Sequence, residues 1–502
     1  MIRRNDPCRC GSGKRYKDCC GRSATSGSND GRLKPQRMDA DGLLEQANAL
    51  KASGRYSEAV AAYRTAAILR PADSVIHHLL GTALEMLPGQ EAEAERCYQQ
   101  ALALAPNSAA VLGSLGTLVG SLGRFSEAEA TLRRALEINP SLWRCQNNLA
   151  NLLTILERYD EAEALYRSAL STSRGDADTC YNFGELLLRQ GRFREAWPLY
   201  ESRYAPGRLK AIPTPQLPFP QWRGEALVGK TLMVLPEQGF GDNIQFVRYL
   251  ALLKYQGASR VHFYCKEPLL RLLRSASGTD EVFDVSLPPK LVGYDYWTLL
   301  MSIPLHVGTT LESIPSEIPY LAAPENASYL AGQQNCLRIG LVWRGSRSHP
   351  NDRNRSLPSL STLAPLWSVP NIEFVSLQKG VGEDEASRPP IGQPLYHVGS
   401  EIGDFADAAD AIDQLDLLIC VDTAFAHLAG ALGKPCWILL PYDGCDWRWL
   451  TERSDSPWYP GNVRLFRQPA PGAWDIVVNE VVEALSEQLR SVRPANGSAH
   501  GR

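Results

Sequence analysis

No run of about 20 apolar residues, the length a membrane-spanning helix needs, occurs anywhere in the 502 positions of this chain. It starts Met1-Ile2-Arg3-Arg4-Asn5-Asp6, with no apolar signal core behind its charges. These two absences lead to the expectation of a cytoplasmic protein without a membrane span. Charge of one sign is missing as well. Lys plus Arg number 52 against 55 Asp plus Glu, a formal charge of -3. Nothing global draws such a chain to nucleic acid or anionic lipid, so no nucleic-acid partner is expected and any basic site must be local. With 44% hydrophobic and 21% charged residues, the composition excludes collagen-like, wholly disordered and disulfide-dense classes. At roughly 100 to 200 residues per domain, the length implies about three folding units.

Cysteine is unevenly spread. Of the 12, eight stand singly in apolar segments and four crowd into the first 20 residues as Cys8, Cys10, Cys19 and Cys20. Four thiolates from one compact hairpin can complete a tetrahedral zinc shell that leaves no position for a catalytic water. Two disulfides or free thiols are the alternatives, and a reducing compartment favours the metal. The run Cys8-Arg9-Cys10-Gly11-Ser12-Gly13-Lys14 through Gly21 resembles the SEC-C motif, a resemblance that implies a small protein-docking module over residues 1–22 with structural zinc. Residues 23–38, rich in Ser, Gly, Lys and Arg, read as a flexible linker.

From 39 to 205 the chain repeats. GRYSEAVAAY, GQEAEAERCY, GRFSEAEATL, ERYDEAEALY and GRFREAWPLY share Ala59, Ala94, Ala128, Ala162 and Ala196, a period near 34. That period, with two helices per unit, is the mark of tetratricopeptide repeats, about five here. Small residues at Ala47, Gly81, Gly116, Ala150 and Gly184 would let paired helices approach, and Pro71, Pro106 and Pro140 end units. Such a solenoid is either a spacer or a concave groove for an extended partner segment.

A connector at 206–228 holds five prolines. Beyond it, short apolar runs at 230–236, 260–265, 338–343, 372–377, 416–421 and 436–440 alternate with helical patterns at 242–255, 267–274 and 424–432, which predicts parallel α/β sheets. The pattern starts twice, so the expected fold is multi-domain. It comprises a zinc module, an all-α solenoid, and two Rossmann-like halves at 229–330 and 336–490 facing a cleft, followed by a disordered tail at 491–502.

Two strand-to-helix turns stand out. In Leu235-Pro236-Glu237-Gln238-Gly239-Phe240-Gly241-Asp242, the glycines would permit close approach of a ligand to unpaired helix-start amides, while Asp242, taken alone, reads first as a helix cap. In Asp422-Thr423-Ala424-Phe425-Ala426-His427, Thr423 and His427 lie four apart and share the helix end that attracts phosphate. A cap at Asp422 and a core histidine at 427 are the plain alternatives. The run Trp343 to Ser356 places Arg344, Arg347, Arg353 and Arg355 just past a strand, where guanidinium groups can neutralise a diphosphate, or else form a solvated loop. Arg344 lies nearest the strand. Gln378 and Lys379 occupy the equivalent place after 372–377, as donor contacts or as a plain turn.

Taken together, the GFGD and DTxxxHLAGALGKP turns resemble the heptosyltransferase-like glycosyltransferases of the two-Rossmann (GT-B) type. A solenoid ahead of such a region is similar to the O-linked N-acetylglucosamine transferases and the flagellin glycosyltransferases, over roughly residues 40–480. The resemblance implies transfer of a sugar from a nucleotide-activated donor to a Ser/Thr hydroxyl of a protein such as flagellin, with the acceptor selected by the repeats. Asp242 would be the general base. Gly239, Gly241, Arg344, Gln378, Lys379, Asp422, Thr423 and His427 would serve the donor. No catalytic metal is expected, since this cleft type requires no DxD-like site. Phe425 departs from the heptosyltransferase pattern, which has smaller residues there. The alternatives are a transferase with a saccharide or lipid acceptor, and a non-catalytic adaptor on a degenerate transferase fold.

Overall fold

The computed structural model describes residues 39–206, 208, 212–324 and 336–492. Cys8, Cys10, Cys19 and Cys20, expected to be metal ligands, the linker through 38 and the tail beyond 492 lie outside the described residues. The chain divides between Ile138 and Asn139 into two compact units.

The first unit is three helix hairpins: Ala40–Ala52 with Tyr56–Leu69, Ser74–Leu84 with Glu91–Leu104, and Ala109–Ser121 with Phe125–Ile138. Sterics at the small positions explain their pairing. A Cβ on Gly81 would stand 2.5 Å from the Tyr98 ring and one on Gly116 2.7 Å from Leu132 Cγ, so only glycine lets these helices close. The shared alanines Ala59, Ala94 and Ala128 are fully buried. Each second helix stops two residues before its proline, at Leu69, Leu104 and Ile138, because proline both lacks the N–H and disfavours helix in the residue before it.

The second unit begins with two more hairpins, Trp143–Ile155 with Tyr159–Ser173 and Ala177–Arg189 with Phe193–Tyr200, the last running into a short 3-10 turn at Glu201–Tyr204. Part of the Pro-rich connector lies along a sheet edge, where Trp222 N donates to Trp297 O at 2.7 Å and Trp297 N to Pro220 O at 3.0 Å. A four-stranded sheet follows, made of β1 (Thr231–Leu235), β2 (Arg260–Cys265), β3 (Glu281–Asp284) and β4 (Tyr296–Leu299), ordered β3-β2-β1-β4. The second sheet has six strands: β5 (Leu337–Val342), β6 (Ile372–Ser376), β7 (Tyr396–His397), β8 (Leu417–Val421), β9 (Cys436–Leu440) and β10 (Val463–Arg467). Their order is β10-β9-β8-β5-β6-β7. Every pairing within both sheets is parallel.

The six expected strands appear within one residue of their expected ends. The expected helix 242–255 is instead two, Phe240–Phe246 and Tyr249–Tyr255, and 267–274 is a 3-10 turn at Glu267–Leu269 followed by Leu270–Leu273, with Pro268 in the turn. The closing helix Trp474–Val492 takes in the first two residues of the expected tail. Its Trp474, Val477, Val478, Val481 and Leu485, spaced three and four apart, bury one apolar face against the six-stranded sheet with Ile339, Leu341 and Phe374.

Candidate functional site

The turns after β1 and β8 meet. Both follow strands near the middle of parallel sheets, at the carboxyl ends where such folds bind ligands, and the helices they open, Phe240–Phe246 and Ala424–Ala431, pack on one another. The tightest point is Gly241, where a Cβ would lie 2.8 Å from His427 Cδ2 and 3.4 Å from Ala424 Cα. What comes close to this glycine is therefore the facing turn, where the sequence suggested a ligand.

Asp242 sits at the third position of its helix, not at the cap. Its Oδ2 accepts from Gly239 N at 2.7 Å, closing the turn on itself, and its Oδ1 accepts from Arg448. Arg448 is the residue the sequence reading missed. Its side chain is 3% exposed, it donates to both carboxylate oxygens of Asp446 at 2.9 and 2.8 Å, and it reaches Gln245 Oε1 at 2.5 Å. Its guanidinium lies over the rings of Trp447, at 4.4 Å, and Phe246. One signal was present in the sequence. Asp446-Trp447-Arg448-Trp449 sets two opposite charges among aromatics, a pattern a solvated loop has no reason to carry.

Electrostatics separate the acids. Burial pushes the Asp242 carboxyl upward while Arg448 pulls it down, and the rise prevails. Burial opposes ionisation of Asp446 too, but there Arg448 wins and holds it below its ordinary value. Asp422 is pushed up to about 7 by burial and by the charge of Asp446, against Arg355. Burial, aided by Arg448, pushes His427 down to about 3, so its imidazole is neutral at physiological pH. Its Nδ1 pairs with the Tyr459 hydroxyl at 2.9 Å and its ring stacks on Trp449. Thr423 caps the second helix with extended backbone, yet its hydroxyl is buried with no hydrogen-bond partner among the described residues.

The arginine run divides. Arg355, not Arg344, reaches the second turn, with Nη1 donating to Asp422 O at 2.9 Å. Arg344 turns away to Pro358 O and Glu385. Gln378 is buried, and its amide is consumed by backbone: Oε1 accepts from Trp343 N and Arg344 N, and Nε2 donates to Arg344 O and Val381 O. Lys379 reaches Gly399 O at 3.5 Å. The structure thus gathers Gly239, Gly241, Asp242, Asp422, Thr423 and His427 in one place, and sets Arg344, Gln378 and Lys379 around the ends of β5 and β6.

The last repeat is built into this region. Trp197 Nε1 donates to Thr309 O at 2.9 Å, and Phe193, Trp197 and Tyr200 pack with Trp447. Arg203 forms a bidentate pair with Glu237, Nε to Oε1 at 2.8 Å and Nη2 to Oε2 at 2.9 Å, both side chains fully buried. Gln238, next along, donates to the Tyr200 hydroxyl at 2.9 Å. The GFGD turn is therefore anchored on one side by the solenoid's last helix.

Among known families, residues 74–141 and 114–178 match tetratricopeptide repeats, and residues 4–22 match the SEC-C motif. The chain carries both. It is 27% identical over 311 residues to Protein FlbA of Caulobacter vibrioides, across 57% of this chain and 51% of that protein, so it spans about half the length of the curated relative it matches. Solved structures similar to the repeats include TTC0263, a thermophilic TPR protein of Thermus thermophilus. That protein is 23% identical, with a TM-score of 0.32, covering 34% of this chain and 93% of its own. Another is YrrB, a TPR protein with an unusual peptide-binding site, 22% identical, with a TM-score of 0.26, covering 33% of this chain and 84% of its own. Among the described residues no helix is long and apolar enough to cross a membrane.

Proposed function

We propose that residues 229–490 form a glycosyltransferase of GT-B type, which moves a sugar from a nucleotide-activated donor to a Ser/Thr hydroxyl of a protein chosen by the repeats. The observation that carries the reading is the contact of Gly241 with His427. It brings a carboxylate from one parallel sheet beside the helix-start turn of the other. In this reading Asp242, whose protonation burial already favours, takes the proton of the acceptor hydroxyl. The Thr423 hydroxyl, the amides that open the second helix, and Arg355 face the negative charge gathering on the departing nucleotide. A protonated Asp422 lowers repulsion there. His427, being neutral, acts by shape and by its hydrogen bond with Tyr459. The solenoid, whose last helix anchors the GFGD turn, supports a protein acceptor, and the resemblance to flagellin glycosyltransferases suggests flagellin.

One observation favours a second reading, a non-catalytic adaptor: Asp242 already has partners on both oxygens. Donor calorimetry on the intact chain separates the two. Saturable binding of a nucleotide sugar supports the transferase, and no binding across the common uridine, guanosine, thymidine and cytidine donors would refute it.

For the SEC-C segment we infer structural zinc held by Cys8, Cys10, Cys19 and Cys20, since four thiolates suit a closed tetrahedral site. Metal analysis should give one zinc per chain, lost when Cys19 and Cys20 are serine. A metal-free wild-type chain would contradict this.

A further inference from the structure

Asp242 and Phe240 project from opposite sides of the same helical turn, and the Phe240 side leads to a second cluster. Phe240 packs on Phe405 with ring centroids 5.0 Å apart at 52°, and Phe405 on Phe425 at 6.4 Å and 47°. Phe240 belongs to the first turn, Phe425 to the second, and Phe405 opens the helix Phe405–Asp413. All three are only partly buried, whereas their neighbours Ala406, Ala426 and His427 are buried. Phe425 is the sole large side chain among the first three residues of its helix, between Ala424 and Ala426.

Three adjoining phenylalanines left partly wet forfeit stabilisation that covering them would restore. Their position, just beyond the carboxyl ends of β1 and β8, is the ligand side of parallel sheets. Charge lies beside them. Lys266, the residue after β2, places its Nζ 5.5 Å from the Phe240 ring centroid, is exposed, and makes no ion pair among the described residues. An aromatic wall with an adjacent cation suits a ligand having a flat apolar face and a negative charge. A nucleotide sugar has both.

We propose that Phe240, Phe405 and Phe425 form a stacking wall of the donor site, on which the nucleobase or the apolar face of the sugar ring lies while Lys266 meets the donor's negative charge. This rests on the donor reading given above and adds to it the residues that choose the donor. It also accounts for Phe425, the departure from the smaller residues of the heptosyltransferase pattern.

The test is calorimetry on the full chain with UDP, GDP, dTDP and CMP, each alone and as a nucleotide sugar, using wild type, Phe425→Ala, Phe405→Ala and Phe425→Tyr. Each alanine variant should weaken the best probe by about tenfold or more, the scale of one lost aromatic stack, and Phe425→Tyr should bind within about threefold of wild type, within the usual spread of stacking energies. A loss shared by the bare nucleotide assigns the wall to the base. A loss seen with the nucleotide sugar alone assigns it to the sugar. Alanine variants that melt earlier yet bind as wild type overturn the wall and leave the donor reading standing. A wild type that binds no probe overturns both.

Discussion

Arg448 bonds Asp242 and Asp446 simultaneously, so one buried guanidinium from the six-stranded half fixes the carboxylate carried by the four-stranded half. Asp242 alone would be a partly desolvated acid on a short helix. With Arg448 stacked on Trp447, its position is set by the facing half, so the two halves assemble the site jointly. This pairing also explains why burial can raise Asp242 without leaving it unpaired.

The anchor of the first turn makes a stability prediction. Arg203 and Glu237 have no solvent to fall back on, so Arg203→Met or Glu237→Met alone should cost about 3 to 5 kcal/mol, while the double Met variant should recover most of that loss. Denaturant midpoints of the four proteins check it. Additive losses would show that the two side chains do not depend on each other.

Gly241→Ala should destabilise by about 1 to 3 kcal/mol and lower donor affinity, because its Cβ must push either His427 or the facing helix aside. Adding His427→Ala should relieve the clash in the double variant. A Gly241→Ala protein as stable as wild type would mean that the halves do not close as described.

Much of this architecture was legible beforehand, and the reason differs by element. The repeats show because one steric requirement, a small residue at the helix crossing, recurs every 34 or 35 positions, at Gly81, Gly116, Ala150 and Gly184. Central strands such as β8 show as unbroken apolar runs because both faces are covered. β3, β4, β7 and β10 escaped notice, being four, four, two and five residues long. All four lie at sheet edges, each paired with a single strand; in β10, Val463-Arg464-Leu465-Phe466-Arg467, arginines interrupt the apolar run. The two turns were found because each runs from an apolar strand into a helix start and carries an Asp there, Asp242 in one and Asp422 in the other. Arg448 was not, because its partners Asp242 and Gln245 lie more than 200 positions away. Proximity to a strand end suggested Arg344, yet the chain doubles back through Asp352–Arg355 and delivers Arg355 instead.

Asp422 predicts a pH dependence. With its carboxyl pushed up to about 7, it is neutral below that pH and charged above it, so donor affinity should fall as pH rises through 7, and Asp422→Asn should flatten the profile. Stability follows the same sign. Between about pH 4 and 7 the native carboxyl keeps a proton that the unfolded chain has released, so this group's contribution declines as pH rises across that window. Calorimetry and melting at pH 5, 6, 7 and 8 check both, and a flat wild-type affinity would contradict the placement of Asp422 at the phosphates.

Division of labour between groove and cleft is testable by truncation. The junction aromatics and the Arg203 pair all lie within the second compact unit. Residues 139–492 should therefore fold, melt cooperatively and bind donor, yet lose transfer to protein. Full protein modification by this fragment would remove acceptor selection from the first three hairpins.

Intact-mass analysis of an acceptor protein, flagellin first, after incubation with a bound donor and either wild type or Asp242→Asn, tests the central claim most directly. The account predicts mass gains of whole glycosyl residues with wild type and none with Asp242→Asn, which should still bind donor within about threefold because the amide keeps the shape and Arg448 keeps its pair with Asp446. Equal mass gains from both proteins would contradict the role given to Asp242. No gain from a wild type that binds donor would contradict transfer to that acceptor.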